Sequence, residues 1–192
     1  TLVSARVRCG RHYGKWVSVK KTTRYAERNH NKRVSYLRSL RHDIQKYSKE
    51  NVVYTDESGF EEEVVRLHGW APKGKKIFWD IPGGKRKRTN LIMAQRRKEW
   101  LAPMLFDFSC DAAIVNAWIE EMLLPKLTKP SVIVMDNASF HKKDAIRKLL
   151  DQHGHKLLPL PPYSPDFNPI EESFAILKKR RLFAEGHTTV EK

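Results

Sequence analysis

SVIVMD, residues 131–136, decides the fold. Val132, Ile133, Val134 and Met135 form an apolar run with no polar residue to mark a solvent face, the pattern of a central strand covered on both sides. The run ends on Asp136, followed by Asn137 and, five residues after the aspartate, by His141. Desolvating a carboxylate at a strand tip is costly unless a cation or hydrogen bonds compensate it. A divalent cation is the natural compensation, which makes Asp136 the first candidate ligand.

Working outward, helices and strands alternate. Upstream, Ile114, Val115, Trp118, Ile119, Met122 and Leu123 recur at helical spacing within residues 112–124, and Pro125 is expected to close that helix. Downstream, a shorter helix from about Lys142 to His153 turns Ile146, Leu149 and Leu150 inward and ends at Gly154, a natural residue just past a helix end. HKLLPL then reads as a short strand, PPYSPDFNP as a proline-stiffened loop, and NPIEESFAILKKRR as the start of the last helix. Before residue 112 the pattern is β-like: NVVYTDE (51–57), EVVRLHGW (63–70), TNLIMAQ (89–95) and WLAPMLFDF (100–108) suggest an antiparallel meander. This order, antiparallel strands followed by helix, strand, helix, strand and helix, suits a mixed α/β sheet with helices on both faces. Earlier still, Val34, Leu37, Leu40, Ile44 and Tyr47 make an amphipathic helix between Ala26 and Tyr47. Its basic face either lies along a phosphate backbone or is solvated while the helix packs on the domain behind it.

Two more carboxylates join the first. Asp56 is expected to end the first strand, VVYTD; if that strand neighbours VIVMD in the sheet, Asp56 and Asp136 emerge at one edge. Glu57 points to the opposite face if the strand persists. On the last helix, a stripe of Ile170, Phe174, Leu177 and Arg181 puts Glu171 beside the core and Glu172 toward solvent. Two readings fit Glu171: a third carboxylate of the site, or the N3 residue of a capping box with Asn168 as N-cap and Pro169 at N1. Carboxylate oxygens from three separate elements suit Mg2+ or Mn2+. Two such ions can serve in-line displacement at phosphorus.

The charge pattern points the same way. Of the 192 residues, 37 are Lys or Arg and 22 are Asp or Glu, a net charge of +15. Residues 1–50 carry 14 basic against 3 acidic side chains and residues 73–98 carry 10 against 1, so the rest is slightly acidic. Such clustering suits attraction to a polyanion. Lys73, Lys75, Lys76, Lys85, Arg86, Lys87 and Arg88 in APKGKKIFWDIPGGKRKR (71–88) are candidate DNA contacts, with Phe78 and Trp79 available to stack on bases; a solvated loop is the alternative. No apolar run is long enough for a membrane span, and the first residues lack the apolar stretch of a secretory signal, so a soluble intracellular protein is expected. Cys9 and Cys110 lack CxxC spacing and suggest neither a disulfide framework nor a zinc site. Ser58 has no nucleophile-elbow context, which argues against serine hydrolysis.

YTDESG (54–59), GWAPKG (69–74), MDNASFHK (135–142) and LPPYSPDFNPIE (160–171), with 34 residues between Asp136 and Glu171, resemble the catalytic domain of a DDE transposase of the mariner superfamily, bacterial insertion-sequence branch. KKTTRYAER (20–28) is similar to that family's link between DNA-binding and catalytic parts. The resemblance implies an RNase H-like fold at residues 51–185, a basic linker helix at 20–50, an unassigned segment at 1–19 and a tail at 186–192. It implies a site of Asp56, Asp136 and Glu171 holding two ions of Mg2+ or Mn2+, with Asn137 and His141 as auxiliary groups orienting water, metal or phosphate. The implied activity is phosphodiester hydrolysis at transposon ends followed by strand transfer into target DNA, carried out by a homodimer in a bacterial cytoplasm, at the nucleoid. Family members place helix-turn-helix domains before the catalytic part, and residues 1–19 match no such motif. Sequence-specific recognition of ends is therefore expected to be weak in this chain, leaving salt-sensitive binding. A DNA-binding remnant without transposition, or a stand-alone metal-dependent nuclease, are the alternatives.

Overall fold

A computed structural model describes residues 25–61, 71–78, 88–136 and 143–183. Among these residues one sheet of five strands runs in the order β3-β2-β1-β4-β5, formed by β1 (Val52–Glu61), β2 (Arg88–Arg96), β3 (Glu99–Phe106), β4 (Val132–Met135) and β5 (Lys156–Pro159). β1, β2 and β3 pair antiparallel, while β4 is parallel to both β1 and β5. The mixed α/β sheet expected from the element order is therefore present. The expected strand at 63–70 lies outside the described residues.

All four residues of β4 are buried, because helices cover both of its faces. Ile133 and Met135 join Val53, Ile92 and Leu157 in a core closed by Val115, Trp118, Ile119, Leu123, Ile146 and Leu150. These come from α2 (Ala112–Trp118), its continuation, and α3 (Lys143–Gln152). Val132 and Val134 turn to the other face with Val52 and Leu158, against Tyr36, Leu40, Ile44 and Tyr47 of α1 (His30–Tyr47). Further along that face, Phe60, Leu91 and Met93 pack on Ile170 and Phe174 of α4 (Ile170–Phe183). The alternation of side chains along each strand thus assigns even positions of β1 and β4 to the α1/α4 layer.

Four expectations need correction. The N-terminal helix starts at His30, not near Ala26, because the Asn29 side chain accepts from Lys32 N and caps it. Its inward stripe is rotated from the expected one: Tyr36 and Asp43 are buried and Leu37 is exposed. Asp43 is tolerated there because Lys156 of β5 reaches it at 2.5 Å. Pro125 does not close the third-layer helix. The chain widens to a π turn over Ile119–Leu123, where Leu124 N bonds to Ile119 O, and then tightens to a 3-10 turn over Leu124–Lys126 that accommodates the proline. Finally, Asp56 does not end the first strand, since antiparallel pairing with β2 carries β1 on to Glu61.

α3 ends as expected: Gly154 adopts φ +75°, and His155 N bonds back to Leu150 O at 2.9 Å. Among the described residues, no helix is long and apolar enough to cross a membrane.

Candidate active site

β1 and β4 run side by side with Val52 opposite Val132, Val53 opposite Ile133 and Tyr54 opposite Val134. Carried two residues further, that register sets Asp56 beside Asp136, just where β4 stops and β1 continues alone with β2. Both positions share the parity of Val52 and Val132, so both belong to the α1/α4 layer. α4 crosses this layer with Ile170 and Phe174 buried against the sheet, which sets Glu171 at its first turn over the same edge. Asp56, Asp136 and Glu171 line one cavity of about 480 Å³, together with Asn168 and the loop from Leu160 to Pro165.

Asp56 and Asp136 are half-buried, whereas Glu171 is exposed. Asp56 Oδ1 accepts from Glu57 N at 2.9 Å and its Oδ2 accepts from Asn168 Nδ2 at 3.4 Å. The carboxyl is pushed up to about 7, chiefly by burial; the Glu57 N–H works against that, and negative charge on Glu57, Asp136 and Glu171 adds to it. The capping-box reading of Glu171 fails, because the Asn168 amide is turned to Asp56 and its buried Oδ1 has no hydrogen-bond partner among the described residues. Among the described residues, backbone bonds start the helix, Glu171 N to Asn168 O and Glu172 N to Pro169 O, each at 3.2 Å. Glu171 is exposed at the cavity wall and is not packed beside the core.

Glu57 lies on the opposite side of β1, where it accepts from Cys110 Sγ at 3.8 Å. Burial, followed by the charge of Glu57, pushes the Cys110 thiol up to about 12, which leaves it a poor nucleophile. Glu57 and Cys110 border a second cavity of about 630 Å³ that also reaches Asp56, Asp136 and Arg88. Of the basic candidates, Arg88 opens β2 and folds its guanidinium so closely over Gly59 that a Cβ there would collide with it. Lys73, Lys75 and Lys76 are exposed, as is Phe78. Lys85, Arg86, Lys87 and Trp79, and likewise Asn137 and His141, lie outside the described residues.

Three carboxylates and a buried amide acceptor are a donor set of hard oxygens, suited to Mg2+ or Mn2+. The raised proton affinity of Asp56 comes chiefly from burial, and the negative charge of Glu57, Asp136 and Glu171 adds to it, so a cation at this place would offset both. Among the described residues, no three His, Cys, Asp or Glu side chains stand close enough together to ligate one ion as they are placed. The fit is therefore one of charge and donor chemistry.

Sequence reading missed Asn168 as a partner of Asp56, although its position three residues before Glu171 was a usable signal. It also missed the clamp that holds the loop of Asn168. Arg33 of α1 grips Asp166 with two bonds of 2.9 and 2.7 Å and lies 3.9 Å over the Phe167 ring, which itself stacks on Tyr36. Nothing in local sequence links residues 133 positions apart.

Residues 51–191 match the family model described as DDE superfamily endonuclease. Among solved structures, the chain is similar to the Mos1 transposase paired-end complex with left transposon end, at 21% identity and a TM-score of 0.67, over 85% of this chain and 53% of that one. It is similar to the mariner Mos1 paired end complex with Mg at 18% identity and a TM-score of 0.68, over 88% and 54% of the two chains. Against the catalytic domain of Mos1 mariner transposase the identity is 19% and the TM-score 0.57, over 92% and 80%. A comparison with curated proteins finds no match. The chain spans about half the length of the paired-end complex chains it resembles. The shared fold is the RNase H-like α/β sheet, and with most of its length matched by the family model this chain belongs to the DDE superfamily endonucleases.

Proposed function

We propose that this chain is the catalytic part of a transposase of the mariner superfamily, bacterial insertion-sequence branch, hydrolysing a phosphodiester at a transposon end and joining the freed 3′-hydroxyl to target DNA. The observation that carries the reading is the convergence of Asp56, Asp136 and Glu171, from β1, the end of β4 and the first turn of α4, on one cavity. Solved Mos1 paired-end complexes with Mn and with Mg support a divalent ion as the partner of these carboxylates. In this reading Asp56, Asp136 and Glu171 would hold Mg2+ or Mn2+, two ions in all. Bound there, the ions would polarise the phosphoryl oxygen and favour a deprotonated nucleophile.

The chain's own groups do the rest. Burial raises the proton affinity of Asp56 to about 7 in the metal-free site, so a divalent ion would bind there in competition with a proton, and more tightly as pH rises. Asn168 Nδ2 donates to Asp56 Oδ2 and steadies the carboxyl group at the cavity. Lys73, Lys75, Lys76 and Arg88 bind phosphates, giving affinity without sequence preference. The catalytic unit is residues 51–185, with the basic segment 20–50 linking it to DNA-reading parts, and two copies act together on a pair of ends.

The test is to incubate purified protein with Mn2+ and labelled duplexes carrying candidate transposon ends or scrambled ends, and to repeat with Asp136→Asn. End-specific nicking that the variant loses supports a transposase. Equal nicking of both duplexes makes the protein a general nuclease, and DNA binding without any cleavage makes it a binding remnant.

A further inference from the structure

At the mouth of the carboxylate cavity stand two large aromatic side chains with most of their surface in solvent. Tyr25 is 56% exposed and Tyr163 is 54% exposed, and both line the cavity. Their ring centroids are 5.8 Å apart at 43° between planes, a tilted contact that leaves more than half of each side chain open to solvent. Tyr163 also has φ +55°, a conformation that an L-tyrosine enters only against steric resistance.

The surrounding loop is built to hold Tyr163 out in that position. Before it, Leu160 N is tied to Met135 O at 2.8 Å, and Pro161 and Pro162 stiffen the approach. After it, Ser164 is buried with its hydroxyl bonded to Pro162 O at 3.2 Å, and a 3-10 turn over Pro165–Phe167 leads to the Arg33 clamp. A chain that bends sharply, fixes both flanks and then spends the bend on an exposed aromatic has put the ring there against both backbone preference and the hydrophobic effect.

We infer that Tyr25 and Tyr163 form a stacking platform for an unpaired nucleobase next to the phosphate bound in the carboxylate cavity. The inference rests on the reading of Asp56, Asp136 and Glu171 as the cleavage site. The ligand class follows from the surface itself. Carboxylates at the cavity floor require the phosphate to arrive with cations, whereas tyrosine faces beside it offer no charge and suit a flat π system. A base still paired in a duplex exposes only its edges, so the platform selects a strand whose flanking base is already out of the stack. Net charge of +15 supplies the long-range attraction that brings such a strand in.

The probe is a short duplex of arbitrary sequence with one 2-aminopurine placed opposite thymine or opposite an abasic site, titrated with Ca2+ in place of Mg2+ or Mn2+, with the DNA checked afterwards to be uncut. Wild-type protein is expected to quench the fluorescence of the unpaired probe and to bind it about tenfold more tightly than the paired one. Tyr163→Ala should abolish both effects, Tyr25→Ala should weaken them, and Tyr163→Phe, which keeps the ring and the fold, should retain them. Equal quenching and equal preference in Tyr163→Ala and wild type overturn the inference, as does loss of both in Tyr163→Phe with the fold intact. Asp136→Asn tells this failure from that of the underlying reading: it should keep the preference for the unpaired probe while losing Mn2+-dependent cleavage. If Asp136→Asn cleaves like wild type, the assignment of the cleavage site fails, and the fluorescence comparison of the Tyr163 variants still decides the platform by itself.

Discussion

Replacing Asp56 by asparagine is expected to make the protein more stable at alkaline pH, at the cost of its activity. The folded carboxyl titrates at about 7 against an ordinary 3.8. At about 1.4 kcal/mol for each tenfold change in proton affinity, that difference comes to about 4 kcal/mol. The sign follows from which state binds the proton more tightly. Below about pH 4 Asp56 is protonated in both folded and unfolded chains and contributes nothing. Between about pH 4 and 7 the unfolded chain has released the proton while the folded one keeps it, so stability falls steadily as pH rises; above about pH 7 the loss is complete. Asparagine keeps an acceptor for the Glu57 N–H and removes the charge, so the variant escapes the loss. The figure of about 4 kcal/mol is a ceiling, since water at the cavity screens part of it. For a chain of this size each kcal/mol moves Tm by about 2–4 °C, so the gain at about pH 8 should approach 10 °C. The assay is thermal unfolding of both proteins in chelator across the range from about pH 4 to 8, followed by addition of Mg2+ at the upper end. Mg2+ should raise the Tm of the wild type more than that of the variant. A gain that is the same at both ends of the pH range, or a variant less stable than wild type at the alkaline end, would refute the electrostatic account of the site.

Three other outcomes follow from particular contacts. A double-mutant cycle on Arg33→Ala and Asp166→Ala should return a coupling of about 1 kcal/mol by urea denaturation, the upper part of the range for a solvent-facing pair because the contact is bidentate. Trp118→Phe removes the 2.7 Å bond from Nε1 to Ala102 O in the core and should cost about 1–3 kcal/mol, read from the denaturation midpoint at constant m-value. Changing Lys73, Lys75 and Lys76 together to alanine should flatten the dependence of DNA affinity on salt, lowering the slope of log K against log salt by up to about 3, with no change in Tm.

Most of the strands and helices were legible because their signals are local. VIVM is apolar throughout and forms a strand buried on both faces; Gly154 follows a helical stripe and ends the helix in the left-handed conformation. Expectations failed where a distant partner sets the outcome. β1 runs past Asp56 because β2 continues to pair with it, and no residue of β1 announces that. Asp43 is buried on a helix whose apolar stripe would have excluded it, because Lys156 from β5 neutralises it there. Pro125 does not end the α-helix, which has already widened to a π turn ahead of it; the proline sits early in the 3-10 turn that follows, where its missing N–H is tolerated.

The candidate site divides along the same line. Composition and spacing alone determined its chemistry: two aspartates at the ends of apolar runs, a glutamate on a helix, and basic clusters to draw in phosphate. Only the tertiary structure decided that these carboxylates meet. Parallel pairing of β1 with β4 in one register sets Asp56 beside Asp136, and the packing of Ile170 and Phe174 on the sheet brings Glu171 to the same edge. Which amide steadies Asp56, and which rings stand at the cavity mouth, depended on contacts across more than a hundred residues. A sequence pattern reports the period of its own element, whereas register and helix placement come from the summed packing of elements it does not contain.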